Sequence, residues 1–292
     1  KKVLETYNKA QAVKTESADE QSGVALELQK QSKFEEAVIS YKKVISLWPN
    51  YAEAYQGMGI ALAKQSKLEE AIEAYNKALE IKPNYAEAYY SMGNALKEQG
   101  RLDFAIEAYN KVLALQPDYA DAYYSMGIAL AEQSKLEEAI EAYNKALEIK
   151  PNYADAYFNM GNALKEQGRL DFAIEAYNKV LALQPDYADA YYNMGNAFAD
   201  QGKLEEAIEA YHKALAIKPN YADAYLNMGN ILEKQGYLEK AIETYNKALS
   251  IKPDYESVRV AKLHQQAHIC DWDNIATDIK LIPKLGTFET QV

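Results

Sequence analysis

Seven prolines recur at a fixed step of 34 residues: Pro49, Pro83, Pro117, Pro151, Pro185, Pro219 and Pro253. A tyrosine series keeps the same step from Tyr7 to Tyr245, and the six methionines share one phase, from Met58 to Met228. A period in the range of about 20–50 residues means stacked supersecondary units, each too small to bury its own apolar face. The repetition also explains an unusual composition, 25 tyrosines against 6 phenylalanines. With the proline at position 32, the repeats are 18–51, 52–85, 86–119, 120–153, 154–187, 188–221 and 222–255.

Inside a repeat, apolar or small residues at positions 4, 7, 8 and 11 (Tyr89, Met92, Gly93, Leu96) have the i, i+3, i+4, i+7 spacing of an amphipathic helix. Position 15 is Gly or Ser (Gly100, Gly168, Ser134), which suits a left-handed helix end. A second helical pattern follows at positions 17, 20, 21, 24, 27 and 28, as in Leu102, Ala105, Ile106, Tyr109, Val112 and Leu113. The proline then stops it. Gly at position 8 and Ala at position 20 remove bulk where the two helices must approach.

The segment Tyr55-x-x-Met58-Gly59-x-x-Leu62, followed by Ala71, Tyr75 and Pro83, resembles the tetratricopeptide repeat, with Tyr in place of the family's Trp. The match recurs through 18–255, and repeat one departs most, with Gln21 and Ala25 replacing the aromatic and the glycine. The expected fold is all-α, a right-handed α-solenoid superhelix of helix-turn-helix repeats. Residues 1–17 are in frame: Glu5-Thr6-Tyr7-Asn8-Lys9-Ala10 nearly repeats Glu243-Thr244-Tyr245-Asn246-Lys247-Ala248, so they read as the second helix of a truncated repeat. Residues 256–292 lose the phase and read as capping helices and a tail.

The remaining face of the first helix carries positions 2, 5, 6, 9, 12 and 13. The family resemblance implies that it lines a concave inner surface. Position 5 gives Gln56, Tyr90, Tyr124, Phe158, Tyr192 and Leu226; position 6 gives Gly57, Ser91, Ser125, Asn159, Asn193 and Asn227; position 9 gives Ile60, Asn94, Ile128, Asn162, Asn196 and Asn230. A carboxamide offers donors and an acceptor, matching the C=O and N–H that every residue of a peptide presents. These asparagines, flanked by the position-5 aromatics, are the expected binding residues for an extended protein or peptide segment. Those at position 6 resemble the ladder in the superhelix of O-linked N-acetylglucosamine transferases, a role that the resemblance implies for Asn159, Asn193 and Asn227. Residues 52–119 and 120–187 differ at seven of 68 aligned positions, and all seven fall at positions 2, 5, 6 or 13. Packing is conserved between the copies while the presumed groove varies, as a binding scaffold requires.

Other functions find little support in the residues. A net charge of −11, from 32 Lys+Arg and 43 Asp+Glu, argues against nucleic acid or an anionic membrane as partner. No apolar run approaches the ~20 residues of a membrane span, and the first residues lack a secretory pattern, so a cytoplasmic location is expected. No nucleophile–base order, HExxH or phosphate loop occurs, so no enzyme activity and no cofactor are expected. His264, His268 and Cys270 are the one metal-like grouping, read as ordinary side chains, and the methionine stripe is read as core. The acid at position 2 is read as part of a capping box with Asn50, Asn84 or Asp118, whereas Glu98, Glu132, Glu166 and Asp200 at position 13 form a mildly acidic inner wall. Acid at position 2 also argues against the family's clamp for an acidic chaperone tail. Two rivals to the scaffold reading remain. Gln266–Asp273, with Ile269-Cys270-Asp271-Trp272, is similar to the passage after the repeats in the same transferases, which implies a substrate-recruiting arm whose catalytic domain is absent from this chain. Exposed Val3, Leu4 and Tyr7 would instead give a homo-oligomer stacked end to end.

Overall fold

The computed structural model describes residues 18–270 together with Trp272 and Ile275. Among the described residues all regular structure is helical. First helices α1 (18–30), α3 (Ala52–Ala63), α5 (Ala86–Glu98), α7 (Ala120–Glu132), α9 (Ala154–Glu166), α11 (Ala188–Asp200) and α13 (Ala222–Lys234) occupy the first half of each repeat. They alternate with second helices α2 (Phe34–Leu47), α4 (Leu68–Ile81), α6 (Leu102–Leu115), α8 (Leu136–Ile149), α10 (Leu170–Leu183), α12 (Leu204–Ile217) and α14 (Leu238–Ile251). A further helix, α15 (Glu256–His268), packs on α14. Two compact units meet at the Pro151–Asn152 bond.

The helix ends follow from the residues at positions 15 and 32. Ser32, Ser66, Gly100, Ser134, Gly168, Gly202 and Gly236 all have positive φ. At Gly100 the turn closes with Gly100 N–H on Lys97 C=O at 2.8 Å and Arg101 N–H on Leu96 C=O at 2.9 Å, a Schellman closure. The second helices stop just before the residue that precedes the proline, Trp48 in repeat one and a lysine or glutamine in the others, where the backbone leaves the helical region, as at Lys82 with φ −130. The first helices begin differently from the expected capping box. Their N-caps are tyrosines (Tyr51, Tyr85, Tyr119), and none makes a side-chain cap hydrogen bond. The acid at position 2 sits in the first turn, where the helix dipole favours it, and accepts from the position-34 tyrosine: Tyr51 donates to Asp19 and Tyr255 to Asp223. Lys82 adds an exposed ion pair to Glu53 at 2.8 Å.

The core consists mainly of alanine and tyrosine. Ala88 and Ala105 have no exposed surface, and the position-24 tyrosines, such as Tyr75, Tyr109, Tyr177 and Tyr245, are fully buried. Burying a side chain of that size stabilises the fold by about 1.5–3 kcal/mol. From repeat two onward each ring packs directly against the position-8 glycine of its own repeat: a Cβ at Gly93 would stand 2.6 Å from the Tyr109 ring, and one at Gly161 2.7 Å from Tyr177. Repeat one has Ala25 there, fully buried, and the space is found elsewhere. The Tyr41 ring instead reaches Gly57 of the next repeat, where a Cβ would meet it at 2.5 Å. The position-4 tyrosines and Met58, Met92, Met126 and Met160 are only partly buried, whereas Met194 and Met228 are core.

Within each unit, first helices touch the first helices of adjoining repeats: α3 with α5, α5 with α7, α9 with α11, and α11 with α13. Second helices touch first helices but make no comparable contact with one another. The first-helix side is therefore the tighter side of each unit, and it presents positions 5, 6 and 9.

Replacing Gly93 by Ala forces the Tyr109 ring off its seat and should destabilise the protein by about 1–3 kcal/mol in urea titrations. Gly57→Ala should cost a similar amount, although other repeats carry serine or asparagine at that position.

Candidate functional site

On unit 152–292, three side-chain types form a hydrogen-bonded rung on repeats 154–187 and 188–221. The position-24 tyrosine, its ring buried, extends its hydroxyl to the position-9 asparagine of the same repeat. Tyr177 donates to Asn162 Oδ1 at 2.8 Å and Tyr211 to Asn196 Oδ1 at 2.7 Å, whereas the one O–H of Tyr245 is shared between Asn230 Oδ1 and Glu233 Oε2, each at 2.9 Å. The position-6 asparagine of the next repeat then donates to the same oxygen: Asn193 Nδ2 to Asn162 Oδ1 and Asn227 Nδ2 to Asn196 Oδ1, each at 2.8 Å. One carbonyl oxygen thus takes both hydrogen bonds, using both lone pairs. The amide orientations follow from this network: position 9 turns its oxygen inward, and position 6 turns its N–H2 inward.

This arrangement differs from a ladder of unengaged amides. Asn227 directs Nδ2 also to the Tyr192 hydroxyl at 3.1 Å, so both of its N–H groups are used within the protein. The groups left for a guest are clearest at Asn162, the N–H2 of which has Phe158 and so no hydroxyl at position 5, and at Asn193, whose Oδ1 lies opposite the nitrogen bonded to Asn162. Asn193, Asn196, Asn227 and Asn230 are half-buried, as is Asn159 on α9. Asn196, Asn227 and Asn230 line a cavity of about 370 Å3 together with Lys165, Asp200 and Lys234.

The position-5 aromatics are packed as well as presented. Phe158 lies 6.1 Å from Tyr177 and 5.0 Å from Tyr187, and Tyr192 lies 5.9 Å from Tyr211 and 4.7 Å from Tyr221, between ring centroids. Such contacts hold each ring against the helix pair and leave one half-buried face. In unit 1–151, Tyr90 contacts Tyr109 and Tyr119, and Tyr124 contacts Tyr143. Asn94 there accepts from Tyr109 at 2.8 Å and lines a cavity of about 550 Å3 with Lys97, Glu98 and Glu132. Ile60 and Ile128 take the place of asparagine in the alternate repeats, and Tyr90, in the repeat that carries Asn94, bonds Ser125 of the next repeat at 3.2 Å.

The expected residues therefore share the first-helix face of their own unit, Tyr90, Asn94 and Tyr124 in one and Phe158 through Asn230 in the other. The sequence reading missed the tyrosine hydroxyls that orient the asparagines. No residue pattern discloses them, because Tyr75 and Tyr143 occur where position 9 is isoleucine. Lys165 and Lys234 were also missed as lining residues. Among the described residues no group of three or more His, Cys, Asp or Glu gathers to hold a metal; the His264 and His268 rings lie 4.6 Å apart, edge to face. No helix among them is long and apolar enough to cross a membrane. Val3, Leu4, Tyr7 and Asp271 fall outside the described residues.

A family model described as TPR repeat matches 25–66, 59–100, 93–134, 128–168, 161–202 and 195–236, and a second, tetratricopeptide repeat, matches 222–255. The chain belongs to the tetratricopeptide repeat family. Comparison with curated proteins finds no match. Among solved structures, this TPR chain is similar to MamA (32% identity, TM-score 0.54, over 57% of this chain and 97% of that one). It is also similar to YrrB, described as a TPR protein with an unusual peptide-binding site (30% identity, TM-score 0.56, over 63% and 95%). The C-terminal part of a TPR protein from Cytophaga hutchinsonii shares the fold at 18% identity, with a TM-score of 0.71 over 81% and 97%.

Burial holds the core tyrosines in their neutral form. It pushes Tyr41 up to about 12 from an ordinary 10.0 and pushes Tyr109, Tyr177 and Tyr211 higher still. A raised tyrosine pKa gives stability that is complete below pH 10 and lost as pH climbs through 12 and beyond. Melting temperature should thus fall steeply above pH 10, in step with phenolate absorbance, and Tyr177→Phe with Tyr211→Phe should make that fall shallower.

Proposed function

We propose that this TPR protein is a scaffold that holds an extended peptide or protein segment along the first-helix face. Asn159, Asn162, Asn193, Asn196, Asn227 and Asn230 contact the guest backbone in one unit, with Phe158 and Tyr192 as flat apolar anchors. Asn94, Tyr90 and Tyr124 make the corresponding contacts in the other.

The observation that carries this reading is the fixed amide orientation. Asn162 has its oxygen committed to Tyr177 and Asn193, so its N–H2 is available to a guest carbonyl. Asn193 has its nitrogen turned toward Asn162, so its Oδ1 is available to a guest N–H. A donor and an acceptor held in place before binding lose little entropy on association. The peptide-binding description of YrrB, at 30% identity, supports the same reading. So does the near-identity of 52–119 and 120–187 everywhere except at positions 2, 5, 6 and 13 of the first helix.

Asparagine-to-aspartate exchange tests this selectively. Asn162→Asp with Asn196→Asp keeps the oxygen that Tyr177, Tyr211, Asn193 and Asn227 need, but replaces the outward donor with an acceptor. Peptides captured by the intact chain from an array of extended sequences should bind the double variant at least about tenfold more weakly, a loss of ~1.4 kcal/mol. Its melting temperature should stay close to that of the parent. Unchanged affinity in a folded double variant would refute the reading.

A further inference from the structure

Unit 1–151 also has two grooves whose linings include none of the expected binding residues. Between α4, α5 and α6 a groove of about 340 Å3 is floored by Ile72, Tyr89, Met92 and Leu96. One repeat earlier, Tyr55, Met58 and Leu62 floor a groove of about 490 Å3. The two floors use the same repeat positions, 4, 7 and 11. Methionine there is adaptable, polarizable and only partly covered by the protein itself. On α11 and α13 the equivalent Met194 and Met228 are buried.

The rims distinguish the two grooves. Phe104 stands at the first, 55% exposed, with the Arg101 guanidinium 4.9 Å over its ring. Glu70 occupies the same repeat position at the second. Arg101 and Lys111 outnumber Glu107 at the Phe104 rim, against the charge of −11 on the whole chain. At the Met58 rim the acids Glu70, Glu73 and Glu80 outnumber Lys42 and Lys77, and Lys77 is already paired to Glu80 at 2.7 Å. Adjoining apolar grooves of opposite charge bias select for orientation as well as for hydrophobicity.

We propose that these grooves dock an amphipathic α-helix of a protein partner, independently of the asparagine face. One apolar side chain seats on Met92 and Phe104, with an acidic residue beside it facing Arg101 and Lys111. A second apolar side chain, further along the same face of the partner helix, seats on Met58 and Tyr55, with a basic residue facing Glu70 and Glu73. A helix presents such anchors at i, i+4 and i+7, which is the helix-in-groove mode of recognition.

The six methionines, one in each of repeats two to seven, provide the readout. With 13C-methyl-methionine labelling, a lactam-stapled helical peptide carrying two leucine anchors, glutamates at one and lysines at the other, should shift the Met58 and Met92 methyl signals. It should leave those of Met194 and Met228 in place. A stapled peptide with the charges exchanged should bind at least tenfold more weakly, and Arg101→Glu with Lys111→Glu should reverse that preference. Phe104→Ala with Phe172→Ala, the equivalent exposed site in the near copy 120–187, should weaken the first peptide at least tenfold, whereas Asn162→Asp should not. Equal binding of the two peptides, or no shift at Met58 and Met92 with either, would overturn the proposal.

Discussion

The seating of a tyrosine ring on a glycine in each of repeats two to seven is the contact on which the rest depends. Gly93 and its equivalents leave no Cβ, so the ring of Tyr109 and its equivalents lies directly on the first helix. The two helices of a repeat can then approach closely, with alanines such as Ala88 and Ala105 filling the remaining interface. The tyrosine hydroxyl, buried like the ring, ends against the position-9 residue of the first helix, and the seat of the ring fixes where that hydroxyl stands. Core packing and surface chemistry are thus set by one side chain.

That coupling gives the asparagine face its directionality. A solvated carboxamide can flip, presenting donor or acceptor at little cost, and would offer a guest no fixed pattern. With Asn193 donating to Asn162, a flip of Asn162 alone would turn that hydrogen bond into a donor–donor conflict, whereas the Tyr177 hydroxyl can rotate to accept. A conflict of that kind at half-buried groups costs about 1–3 kcal/mol. The position-6 asparagine therefore behaves as a positioning group, acting on any guest through the asparagine it holds. Repeats with Ile60 or Ile128 lack this device, so the two units present different surfaces from the same repeat architecture.

Most of the fold was legible in the sequence because periodicity is a property of the chain alone. The proline step, the Gly or Ser at position 15 and the two amphipathic patterns placed the helices and turns, and Ser66 and Gly100 have the left-handed conformation expected of them. The helix starts were not legible. Asn50 and Asn84 look like caps in the sequence, but the chain turns one residue later, at Tyr51 and Tyr85, and their side chains make no cap. The acid at position 2 pairs instead with a tyrosine 32 residues on, as Asp223 does with Tyr255, a contact that local patterns do not encode. The binding face was legible as a set of positions but not as a network. Which atom of Asn162 points outward depends on a residue 15 positions away and another 31 away.

Solvent exchange of the asparagine side-chain amides, followed by 15N-resolved NMR, tests the orientation most directly. The Nδ2 protons of Asn227, both donated within the protein, should exchange slowest, and one proton of Asn193 should also be protected. Those of Asn162 should exchange at nearly the rate of a solvated amide. Protection of Asn162 with fast exchange at Asn193 and Asn227 would contradict the account, because the amides would then face the opposite way.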